Sequence, residues 1–344
     1  MISSKPNDVQ RPENVLVDPF GRRITYVRIS VTDRCNLRCS YCMPRDSVQW
    51  FEQSSLLTYE EIERFAQAAA SLGITKIRIT GGEPLVRRDL VKLVERLAHV
   101  EGIRDLAMTT NGTLLARYAR ELKAAGLSRL NVSLDTLRAD RFREITGADM
   151  FAQVWQGIEA ALDAGFAPIK INVVVIKGFN EDELLDFARL THSYPFHIRF
   201  IEYMPIGADR EGWERAKVVP WQEIKSLIAR YERLEPIPSR PCDSGPERVF
   251  ALCDAKGCIG FITPVSDEFC ACCNRVRLTS DGKLRGCLMR DGEVDFREPL
   301  RSGATLEELR DLLRFAISRK PEKHLINSPD FEYSSFYTMN RLGG

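Results

Sequence analysis

The chain has 344 residues and a formal net charge of +1, enough length for one large domain or a large domain with a small one. Near-neutral charge excludes a bulk electrostatic partner such as nucleic acid or an anionic membrane, so any anionic ligand must be held by locally placed Arg and Lys. The first twenty residues have neither an apolar h-region nor a transit-peptide pattern, and no apolar run approaches the ~18 residues of a membrane span, so a cytoplasmic protein is expected.

Strands are predicted at 26–31, 76–80, 105–110, 129–134, 170–176 and 197–202. Amphipathic helical patterns lie between or after them at 58–73, 89–102, 114–126, 151–165 and 182–193. Thr58 and Glu61 have capping-box spacing, and Gly73, Gly126 and Gly165 suit helix C-caps. Repeated strand–helix units mean a parallel sheet. Six of them predict an α/β fold, an incomplete (β/α)6 TIM-type barrel, with a doubly wound open sheet as the alternative. In either, the functional face lies at the strand C-termini. After about residue 215 the pattern changes to a helix, a Pro/Gly/Ser-rich connection and short strands at 248–253, 258–264, 274–280 and 283–289. Ser280–Asp281–Gly282–Lys283 is a hairpin signal, and a late helix is expected at 305–320. The expected organisation is an extension (1–20), a partial barrel (21–215) and a small C-terminal α+β region (216–344).

Ten cysteines are many for a cytosolic chain, where disulfides are disfavoured and clustered thiols point to metal or catalysis. Cys242, Cys253 and Cys258 are scattered and read as small buried hydrophobes. Cys35, Cys39 and Cys42 form C-x-x-x-C-x-x-C directly after the first predicted strand. Three readings fit that spacing: a buried helical stripe, a zinc site with a distant fourth ligand, or a [4Fe-4S] cluster with one iron left for a non-protein ligand. The second group, Cys270, Cys272, Cys273 and Cys287, lies across the predicted hairpin. Four thiols would complete a zinc site. But adjacent Cys272 and Cys273 point apart, and three usable ligands would again leave an open position.

The first loop resembles that of the radical S-adenosylmethionine (SAM) superfamily. The resemblance implies a cluster on Cys35, Cys39 and Cys42 whose open iron chelates the methionine moiety, and whose reduction yields a 5′-deoxyadenosyl radical. It assigns cofactor contacts to Tyr41, to Gly82 in Gly81–Gly82–Glu83–Pro84, to Ser133 and to Met204. The segment F-C-x-x-C-N-R-x-R-L-T, followed by D-G-K-L-R-x-C-L, narrows the resemblance to the GTP 3′,8-cyclase family, from about residue 14 to the C-terminus. That family implies a second [4Fe-4S] cluster on Cys270, Cys273 and Cys287, with its open iron at the guanine. Cys272 is not a ligand in it, though it is close enough to compete. Substrate contacts are implied at Arg28, Arg78, Thr109, Lys170, Arg275, Val276 and Arg277, the cations for the triphosphate. Arg275 and Arg277 share one strand face. Arg277 and the terminal Gly343–Gly344 are implied to act in the active site.

The implied reaction converts GTP to 3′,8-cyclo-7,8-dihydro-GTP in the first step of molybdopterin biosynthesis. Implied partners are a flavodoxin- or ferredoxin-type electron donor and a downstream cyclic pyranopterin monophosphate synthase, and the family permits a homodimer. A radical SAM peptide maturase and a zinc-stabilised module without activity are the competing readings. No P-loop is present, which argues against an NTPase.

Overall fold

The computed structural model describes residues 14–43, 48–206, 213–238, 247–328, 331 and 338–343. Cys242 and Gly344 lie outside them. Apolar, β-branched runs build six parallel strands: Tyr26–Ser30 (β1), Lys76–Thr80 (β2), Asp105–Thr110 (β3), Arg129–Ser133 (β4), Ile169–Val175 (β5) and Phe196–Glu202 (β6). Each expected strand is present to within about one residue. Helices Tyr59–Ser71 (α1), Leu90–Ala98 (α2), Leu115–Ala124 (α3), Ala139–Thr146 (α4), Phe151–Asp163 (α5) and Leu184–Ser193 (α6) fill the crossovers. Thr58 and Glu61 make the reciprocal capping box at α1. The sequence reading passed over α4, which is short and has no side-chain N-cap.

The remaining elements are Trp221–Ala229 (α7), Leu234–Pro236 (β7), Glu247–Leu252 (β8), Cys258–Ile262 (β9), Arg275–Leu278 (β10), Lys283–Arg285 (β11), Glu293–Asp295 (β12), Arg297–Arg301 (α8), Leu306–Ser318 (α9) and Met339–Leu342 (α10). Their strands join the same sheet, in the order β12-β11-β10-β1-β2-β3-β4-β5-β6-β9-β8-β7. The sheet is therefore not closed by hydrogen bonds, as an incomplete barrel requires. β10 runs parallel to β1 and β9 parallel to β6, so the C-terminal region extends both rims of the barrel.

A main apolar core runs from Ile29 and Ile77 to Phe261, Leu278 and Leu313, and a small second cluster is built on Val218, Val265 and Ile326. Leu16 belongs to the main core and its amide donates to the Leu72 carbonyl at 3.2 Å, so the chain joins the fold ahead of residue 21. Of the scattered cysteines, Cys258 is half-buried in β9. Cys253 is exposed, contrary to the buried reading, because it sits in the turn after β8 beside Asp254. No described helix is long and apolar enough to cross a membrane.

Candidate active site

A cavity of about 300 Å³ opens at the C-terminal ends of the barrel strands, lined by both cysteine groups. The loop after β1 brings Cys35, Cys39 and Cys42 into it, and two glycines make this geometry accessible. A Cβ on Gly82 would lie 2.3 Å from the Arg34 carbonyl oxygen, and one on Gly81 2.6 Å from that of Thr32. The β2 turn thus packs backbone to backbone on the cysteine loop, through Gly82 N to Thr32 O (2.8 Å) and Glu83 N to Arg34 O (2.9 Å). Buried Glu83 ties that turn to β3: its carboxylate accepts from Thr110 Oγ1 at 2.8 Å, Asn111 N at 2.6 Å and Leu85 N at 3.0 Å. Burial raises its pKa to about 7.

The three thiols are held neutral in the absence of a cation. Burial pushes Cys35 up to about 11, and burial, Cys35 and Asp135 push Cys42 to about 12. Burial, Cys42 and Asp135 raise Cys39 as well. Donors are in place for sulfurs that carry charge: Leu37 N lies 3.4 Å and Asn111 Nδ2 3.8 Å from Cys35 Sγ. Tyr41 is fixed by a 2.6 Å bond from its hydroxyl to Asp135 Oδ2, and Asp135 Oδ1 accepts from Val174 N at 2.8 Å. Burial lifts Asp135 to about 6.

In the second group Cys270, Cys273 and Cys287 line the same cavity. Cys272 does not: its sulfur is disulfide-bonded, contrary to the expectation of free clustered thiols, and so it does not rival Cys273. Among the described residues, Glu268, Cys270 and His324 alone have donors all within 4.8 Å of one another. Cys35, Cys39 and Cys42 are not such a group; all three are carried by one loop and line the cavity together.

Strand register aligns the cations. Arg28 pairs across with Arg277 on one side and Arg78 on the other. All three line the cavity with Arg275 and Val276. Burial and Arg277 hold Arg28 well below its usual pKa, and burial and Arg275 lower Arg277 to about 10. Such a row is relieved by an anion. Thr109 also lines the cavity, its buried hydroxyl without a protein partner. Lys170 does not line it: its Nζ donates to Glu247 Oε1 at 2.9 Å. Arg199 reaches the cavity from the next strand, with its Nε 2.7 Å from Glu247 Oε2. With its amide oxygen turned toward them, Asn131 accepts from Arg199 at 2.7 Å and Arg78 at 3.1 Å.

The tail reaches both halves of the site. Asn340 Nδ2 donates to Asp33 O at 2.8 Å, in the first cysteine loop. Arg277 Nη1 donates to the Gly343 carbonyl. Gly343 has φ +75°, and a Cβ there would meet Thr80 Oγ1 at 2.4 Å. Tyr41, Gly82, Ser133 and Met204 all line the cavity. Asn111, Asp135, Asn172 and Arg199 do so without having been singled out. Asn111 and Asp135 stand in the sequence stretches T-T-N-G and N-V-S-L-D, but without register nothing marks them apart from ordinary strand-end polar residues.

A parallel partial barrel with three thiols on the loop after its first strand defines a radical SAM enzyme. The radical SAM superfamily domain matches residues 29–191, and the Molybdenum Cofactor Synthesis C domain residues 196–326. The chain is 52% identical over 327 residues to the GTP 3′,8-cyclase of Moorella thermoacetica, covering 95% of this chain and 99% of that one. It is 48% identical over 329 residues to the GTP 3′,8-cyclase of Geobacter sulfurreducens, covering 96% and 99%. It therefore belongs to the GTP 3′,8-cyclase family. The fold is similar to that of Streptococcus suis SuiB bound to precursor peptide SuiA, with a TM-score of 0.58, 16% identity and coverage of 87% of this chain and 68% of that one.

Proposed function

We infer that this chain joins ribose carbon 3′ of GTP to guanine carbon 8, giving 3′,8-cyclo-7,8-dihydro-GTP for molybdopterin biosynthesis. The observation that carries the reading is a single cavity lined by two cysteine groups and an aligned row of arginines, Arg277, Arg28 and Arg78. Loaded with its [4Fe-4S] cluster on Cys35, Cys39 and Cys42 and with SAM, the first site supplies a 5′-deoxyadenosyl radical. The protein's part is orientation and exclusion of water. Tyr41, Gly82, Ser133 and Met204 hold SAM, with Asp135 fixing the Tyr41 ring. A second [4Fe-4S] cluster, held by Cys270, Cys273 and Cys287, would bind guanine; that these three line the same cavity as the first group supports it.

Arg28, Arg78, Thr109, Arg275, Val276 and Arg277 bind the substrate, with the arginines on its phosphates. Lys170 joins them only if its Glu247 pair opens. Arg277 and the Gly343–Gly344 tail complete the pocket. The barrel at 21–215 then supplies radical chemistry and part of the nucleotide pocket, and 216–344 the rest of that pocket. A reducing cytoplasm suits metal thiolates. A flavodoxin- or ferredoxin-type protein delivers the electron, and the product passes to a cyclic pyranopterin monophosphate synthase.

Anaerobic incubation with reductant, SAM and GTP, followed by mass spectrometry, tests this. The cyclic nucleotide should appear with 5′-deoxyadenosine in equal amount. Deoxyadenosine formed beside unchanged GTP refutes the reading.

A further inference from the structure

Lys320 follows α9 and is 3% exposed. A buried ammonium is costly unless its three donors are used, and here all three are. Nζ donates to the Arg275 carbonyl at 3.0 Å, the Gly286 carbonyl at 2.5 Å and Cys273 Sγ at 3.5 Å. Arg275 opens β10 and Gly286 follows β11, so one ammonium bridges both arms of the hairpin that carries Cys273 and Cys287. Gly286 permits the approach: a Cβ there would lie 3.1 Å from the Lys320 Cα. None of the three contacts is a carboxylate, so the positive charge is left to the sulfur and whatever the sulfur binds.

The segment carrying Lys320 is clamped by a different residue. Arg22 Nη1 donates to the carbonyls of Cys270 (2.8 Å) and Glu322 (2.6 Å), and Nη2 to that of Pro321 (2.6 Å). Arg22 is itself held by Asp18. Anchoring and charge are thus divided between two side chains, which makes them separable by experiment.

We propose that Lys320 is a positioning residue for the second metal site, setting the reduction potential and iron retention of its cluster through the N–H···S bond to Cys273. The proposal rests on the reading of Cys270, Cys273 and Cys287 as a cluster site. Hydrogen bonds to ligand sulfurs and local charge are established levers on cluster potential. A donor on one sulfur draws charge from the cage and favours its reduced form.

The test uses the full-length, reconstituted protein with Lys320→Met, Lys320→Arg and Arg22→Met. In Lys320→Met the second cluster should be harder to reduce, the first unshifted, and iron lost to a chelator about ten-fold faster. Lys320→Arg should restore the potential, and Arg22→Met should leave it in place. An unshifted potential in Lys320→Met, or an equal shift in Arg22→Met, overturns the proposal. A second measurement needs no variant and no cluster: a crystal structure of the metal-free wild type should place Lys320 Nζ at about the 3.5 Å from Cys273 Sγ seen here. An Nζ turned away from that sulfur overturns the Lys320 contact. About four irons per reconstituted chain instead of about eight overturns the cluster reading, and that distance alone then decides the contact.

Discussion

The two cysteine groups share one cavity, but Cys273 of the second sits in surroundings opposite to those of the first, while burial and its sister thiols still raise Cys270. At the first, burial and the carboxylates Glu83 and Asp135 oppose negative sulfur, and Cys35 and Cys42 are pushed to about 11 and 12. At the second, burial also raises Cys273, but Lys320 and Arg275 outweigh it and bring it down to about 7. The first pocket is therefore short of positive charge, which iron and a sulfonium cofactor both provide. The second already has it in excess, in Lys320, Arg275 and the Arg277–Arg28–Arg78 row, and is suited to an anionic nucleotide. Polarity thus differs between two pockets built from the same residue type.

The sharpest way to break that contrast is a matched pair of substitutions. Cys39→Ser should abolish 5′-deoxyadenosine formation altogether. Cys273→Ser should retain it, uncoupled, while cyclised nucleotide disappears. Chromatography of both products from each variant checks this, and loss of deoxyadenosine in both would erase the division.

Gly343→Val should act next most strongly. Its Cβ would collide with Thr80 Oγ1 at 2.4 Å, and the backbone there has φ +75°. Turnover should fall about a hundred-fold with iron content unchanged. Full turnover in this variant would remove the tail from the site.

Glu247→Gln tests the wall behind the cations. Glu247 faces Lys170 at 2.9 Å, Arg199 at 2.7 Å and His197 at 3.5 Å. Burial raises its pKa, but these groups outweigh it and lower it to about 2. A depressed carboxylate contributes stability above its unfolded pKa of about 4.3 and loses it as pH falls toward 2. The variant should lose about 3–5 kcal/mol at neutral pH, and its stability should decline less than the wild type's through that acid window. Denaturant titrations at pH 7 and pH 3 measure both.

The barrel was legible because its strands are short β-branched runs at regular spacing, and their ends were placed to within about a residue. The cysteine loop and Gly81–Gly82 were legible because thiols and paired glycines are chemically distinctive. Lys170 shows the limit. A cation in an apolar strand signals a buried charge, but its partner, Glu247, lies 77 residues away, beyond the reach of local pattern. Lys320 and Arg22 were hidden for the same reason: each acts on the second site from a part of the chain that carries no cysteine. Asp135 was passed over although it stands two residues from Ser133, because only the fold brings Tyr41 to it.

The placement of β10 beside β1 and β9 beside β6 has a practical corollary. Expressing residues 21–215 alone would strip a strand from each rim and leave unsatisfied, largely apolar margins prone to self-association. Swapping C-terminal halves between relatives faces the same constraint, since the foreign half must bring strands that fit both seams at once.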